Sequence, residues 1–72
     1  MTKLKKIRTA AGFSQSQLAE LSGMSLRSLH HYEQGTRDIN KAQGQTLLTL
    51  ARALNVTIED ILELKATDNE RN

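Results

Sequence analysis

Apolar positions along this chain recur at helical spacing, and short polar or glycine-containing gaps divide them into about five segments. In the first, Leu4, Ile7 and Ala11 fall at i, i+3 and i+7 with Ala10 beside them, and Thr2 stands where a cap is needed. This predicts an amphipathic helix that Gly12 ends, with Lys3, Lys5 and Lys6 on the solvent side. Arg8 borders the apolar stripe and fits either side of it. Phe13 follows as a core anchor between the first two helices. Ser14 and Gln17 form an S-x-x-Q capping box for a second helix, whose buried face is predicted to hold Leu18 and Leu21. Gly23 stops that helix, because glycine takes positive φ at little cost. Met24 is an apolar plug, Ser25 caps a third helix from Leu26 to about Gln34, and Gly35 ends it.

A polar segment carrying Ile39 comes next. Leu47, Leu50, Ala51 and Leu54 then recur at i, i+3, i+4 and i+7, a fourth helix. It starts either at Asn40, with Gly44 inside it, or near Gln45. The longer form is expected, since an internal glycine costs only about 1 kcal/mol. Asn55 ends the helix in a left-handed conformation, and Thr57 caps a last one, with Glu59 and Asp60 at the positive end of its dipole. Ile58, Ile61 and Leu62 give the last helix its apolar face, with Leu64 near its end. Residues 66–72 are polar and aperiodic and are expected to be a disordered tail behind a domain of residues 1–65.

The third helix has a chemically distinct surface. At about 100° per residue with Leu29 at the centre of the buried side, Leu26, Ser25 and Tyr32 lie within about 60° of it. Arg27 and His31 fall opposite, flanked by His30 and Gln34. This outward face is basic or hydrogen-bonding and carries no acid, which is what a helix lying in a phosphate-lined major groove requires. Charge supports the same picture. Residues 1–37 hold six Lys/Arg against two Glu, and residues 38–72 hold four against six acids, within a net charge of +2. Uneven surface charge alone would also fit a small soluble domain of no such function.

The stretch from Ser14 to Gly35 resembles the helix-turn-helix of the Xre/Cro-type phage-repressor family. Gln15 opens the first motif helix, Ala19 sits at the helix–helix contact, Gly23 in the turn, Leu29 in the core, and Tyr32-Glu33-x-Gly35 close the second. The pattern continues outside the motif, in Arg8-x-x-x-Gly12-x-Ser14-Gln15 and in Leu50-Ala51-x-Ala53-Leu54-x-Val56. The resemblance spans roughly residues 3–64. It implies an all-α, lambda-repressor-like bundle. It also implies a transcriptional regulator, bacterial or phage-encoded, that represses by binding double-stranded DNA as a homodimer on inverted half-sites. The expected base-reading residues are Leu26, Arg27, His30 and His31. Leu26 either packs on a thymine methyl or is buried. Phosphate contacts are expected from Gln15, Ser25, Thr36, Arg37, Asn40 and Lys41, with a solvated first-turn role as the alternative for Gln15. The resemblance further implies an ion pair between Arg8 and Glu33 beneath the motif; the alternative is two ordinary surface charges. The last helices, near Leu62 and Leu64, are the expected dimer surface.

The expected core is Leu4, Ile7, Phe13, Leu18, Leu21, Leu29, Tyr32, Leu47, Leu50, Leu54, Ile58 and Ile61. Other chemistry finds little support. There is no cysteine, hence no disulfide or thiolate metal site, and the composition fits a reducing cytoplasm. Adjacent His30 and His31 point about 100° apart, a poor metal pair. No nucleophile elbow or glycine-rich phosphate loop is present, so neither an enzyme nor a cofactor is expected. No apolar run approaches the roughly 18 residues of a membrane span, and no apolar stretch follows the basic start as in a signal peptide. The remaining competitor is an antitoxin-like protein-interaction module built on the same helices.

Overall fold

The computed structural model of the chain describes residues 2–63. Its helices are α1 (Lys3–Ala10), α2 (Gln15–Ser22), α3 (Leu26–Gln34), α4 (Gly44–Leu54) and α5 (Ile58–Ile61), with a 3-10 turn at Ile39–Lys41 before α4. No strand occurs among the described residues, and none of the helices is long and apolar enough to cross a membrane.

Local chemistry sets the boundaries. The Thr2 hydroxyl accepts from the Lys5 N–H and donates to the Glu33 carbonyl, so one side chain caps α1 and ties it to the end of α3. Ser14 and Gln17 make a complete capping box on α2, and Ser25 accepts from the Ser28 N–H at the start of α3. Gly23 and Gly35 end α2 and α3 at φ 75° and 84°. Asn55 ends α4 at φ 59°, the one non-glycine residue with positive φ among those described. Thr57 and Asp60 form a reciprocal box on α5. The Thr57 N–H, and after it the Thr57 hydroxyl, hold the Asp60 carboxyl below the usual carboxylate range against a smaller upward push from desolvation; Lys3 adds the weakest pull. A carboxylate so depressed supports the cap above its ordinary range, and that support fades as pH falls through the lowered value.

Each helix sends one fully buried aliphatic side chain to the centre: Leu4, Leu18, Leu29, Leu50 and Ile61. Each such burial is worth about 1.5–3 kcal/mol. Ala19, Ile39, Leu47, Ala51 and Leu54 complete the buried apolar set. Ile7, Phe13, Tyr32 and Ile58 pack against it half-buried.

The structure corrects three sequence expectations. Leu21 is not core but 58% exposed. The buried stripe of α2 runs through Leu18, Ala19 and Ser22, and Leu21 points about 100° away from Ser22. Replacing Leu21 with Gln should therefore cost about 1 kcal/mol or less in urea unfolding; a loss of several kcal/mol would mean that its exposed side is covered. Next, the fourth helix does not start at Asn40. Asp38 Oδ1 accepts the Asn40 N–H and closes the 3-10 turn, which drops Ile39 into the core at 3% exposure. Ala42 and Gln43 are then extended, and Gly44 opens α4 rather than lying inside it. Finally, Ala10 and Ala11 are exposed, and the place beside Leu4 on the inner side of α1 belongs to Arg8. Of the expected dimer surface, Leu62 lies half-buried against the core, while Leu64 and the tail lie outside the described residues.

Candidate nucleic-acid interface

Leu29 and Glu33, one turn apart, form the buried side of α3 at 0% and 4% exposure. Arg27, His30 and Gln34 are exposed on the opposite side, and His31 is half-exposed. Leu26, in the first turn, is 47% exposed, so its side chain is available at the surface. The outward surface of α3 thus presents donors and acceptors without a carboxylate.

Beneath that surface lies a buried polar network. Arg8 Nε and Nη2 donate to the two oxygens of Glu33 at 2.6 and 3.0 Å, a bidentate pair. Arg8 Nη1 donates to the Phe13 carbonyl at 2.8 Å, and Gln15 Nε2 donates to Glu33 Oε1 at 2.9 Å. One carboxylate on α3 therefore holds α1 and the start of α2, while Arg8 holds the α1–α2 link. Since a carboxylate only accepts, the Gln15 amide nitrogen must face Glu33, which leaves its second N–H for an outside acceptor.

The residues expected at phosphates are placed differently from one another. Ser25 is exposed; its oxygen caps α3 and its proton is not used by that bond. Arg37 lies along the flank of α3. Its guanidinium sits 5.5 Å from the Tyr32 ring centroid, and Nη1 donates to Ser28 Oγ at 3.3 Å. Ser28 was not singled out from sequence, because its partner comes from a loop nine residues on. The Thr36 hydroxyl turns back to His31. The Asn40 side chain is engaged on both sides by the backbone of Glu63, accepting from its N–H and donating to its carbonyl. Glu63 in turn accepts the Lys3 N–H at 2.6 Å, so it closes the domain around α1. No local pattern marks Glu63, whose partners lie 23 and 60 residues away. Lys41 is exposed at the end of the 3-10 turn.

A helix-turn-helix family model matches residues 4–61. No curated protein and no solved structure matches the chain at a significant level.

Proposed function

The chain belongs to the Xre/lambda-repressor type of helix-turn-helix family, which binds DNA, and from that premise we propose that it is a sequence-specific repressor with α3 as its recognition helix. The observation that carries this reading is the acid-free outer face of α3, held from behind by the Arg8–Glu33 pair. Arg27, His30 and His31 project toward base edges from successive turns, and Leu26 meets a thymine methyl from the first turn. Gln15, with its second amide proton, and Ser25, with its hydroxyl proton, meet phosphates on one side of the groove; Arg37 and Lys41 meet them on the other. The exposed Thr36 bonds His31, and the exposed Asn40 bonds the backbone of Glu63. Two copies bind inverted half-sites about one DNA turn apart.

Selection of bound duplexes from a random pool tests the proposal. The expected result is a preferred sequence with two inverted half-sites. Binding should also weaken steeply with salt through counterion release. Arg37→Ala should flatten the slope of log affinity against log salt by about 1; an unchanged slope removes Arg37 from the phosphate contacts. The second reading, a protein-interaction module, draws support from the exposed Leu21 near Phe13. It predicts no preferred DNA sequence and little salt dependence.

A further inference from the structure

His31 and Thr36 form a closed hydrogen-bonded pair at the end of α3. The Thr36 hydroxyl oxygen lies 3.2 Å from the His31 carbonyl oxygen and 2.8 Å from Nδ1 of the His31 ring. A carbonyl only accepts, and a hydroxyl has a single proton to give. Given to the carbonyl, that proton leaves the shorter bond to run the other way, from Nδ1–H to the hydroxyl oxygen; given to Nδ1, it leaves the ring's own proton on Nε2. In the first arrangement a neutral imidazole carries a lone pair on Nε2, the ring nitrogen farther from the backbone, which is then an acceptor.

The surroundings hold the two side chains close together. The N–H groups of Gly35, Thr36 and Arg37 all converge on the same His31 carbonyl, at 3.1, 3.1 and 3.2 Å. The turn that carries Thr36 is thus fixed by backbone bonds and does not need the hydroxyl. The His30 ring meets the His31 ring edge-on, with centroids 6.2 Å apart. Arg27 precedes His31 by one helical turn on the same outward side.

We propose that Thr36 locks His31 in the Nδ1–H tautomer, so that Nε2 accepts a hydrogen bond from an exocyclic base amine in the major groove, N6 of adenine or N4 of cytosine. This rests on the reading of α3 as the recognition helix. Guanine O6 and N7 and thymine O4 are acceptors themselves and are refused by an acceptor nitrogen. Thr36 is a positioning residue here, acting on DNA only through His31.

Two measurements on the full chain test this. Long-range proton–nitrogen spectra of the free protein should show His31 in the Nδ1–H form. Thr36→Val should release it to the Nε2–H form, and Thr36→Ser should restore it. Nε2–H in the unaltered protein overturns the proposal whatever the DNA does. The second measurement uses the sequence selected from the random pool. The position whose preference disappears in His31→Ala should be adenine or cytosine. Exchanging that adenine for purine, or that cytosine for 2-pyrimidinone, removes only the amine and distinguishes the two sources. The correct exchange should weaken binding roughly five- to tenfold, and Thr36→Val should be indifferent to it. A guanine or thymine at that position, or tight binding after the amine is removed, overturns the assignment while leaving sequence-specific binding intact. A pool that yields no preferred sequence overturns the recognition-helix reading and the base assignment with it.

Discussion

Glu33→Gln and Arg8→Met should each lower the unfolding free energy by roughly 3–5 kcal/mol, the largest loss expected from any exchange proposed for this chain. The pair is bidentate, and its side chains are 9% and 0% exposed. Removing one partner leaves a buried charge that water cannot reach. Arg8→Met also strips the Phe13 carbonyl of a donor, and Glu33→Gln disturbs the acceptor that holds Gln15. A chain of this length has a total stability of roughly 4–10 kcal/mol, so either change takes a large share of it. The double variant Arg8→Met/Glu33→Gln should lose much less than the sum of the single losses, because no uncompensated charge remains. Urea unfolding of the four proteins gives the coupling directly. Single losses under about 1 kcal/mol together with simple additivity would mean that the pair behaves as an exposed one. The functional consequence follows from position. Glu33 lies on the inner side of α3, so its bonds to α1 and α2 fix the angle at which the outer face is presented.

Arg27→Ala should cost roughly 1–3 kcal/mol on the selected operator and little on random DNA of the same length and salt. Arg27 stands exposed in the first turns of α3, the part of a recognition helix that reaches base edges. A guanidinium there can donate to O6 and N7 of one guanine together, a contact that a wrong base cannot return. Arg27→Lys separates charge from geometry. It keeps the positive charge but loses the planar fork, so it should leave affinity for random DNA unchanged and fail to restore discrimination. Equal losses on operator and random DNA in the Ala variant would assign Arg27 to a phosphate instead. Fluorescence anisotropy at fixed salt with the two duplexes decides between these outcomes.

The helices and their ends were legible in the residues because the causes are local. Ser14, Ser25 and Thr57 cap through bonds spanning three residues, and Gly23, Gly35 and Asn55 stop helices through their own φ preference. The outer face of α3 was legible for the same reason, since helical periodicity alone places Arg27 opposite Leu29. What periodicity leaves open is which arc of an amphipathic helix its neighbours cover. Leu21 and Ser22 are adjacent, and only the packing of α2 against α3 and α4 buries the serine and exposes the leucine. Arg8 was ambiguous beside its apolar stripe until Glu33, 25 residues away, gave it a buried partner. The start of α4 turned on Ile39, whose entry into the core interrupts a helix that its flanking residues would otherwise allow. The Asn40–Glu63 clasp and the Thr36 hydroxyl on His31 likewise depend on where a folded backbone brings distant or loop-borne atoms. Local propensity and periodicity determined the elements and their chemistry. The closing of loops over long sequence separations decided which side chains meet, because those contacts form only when the whole core assembles.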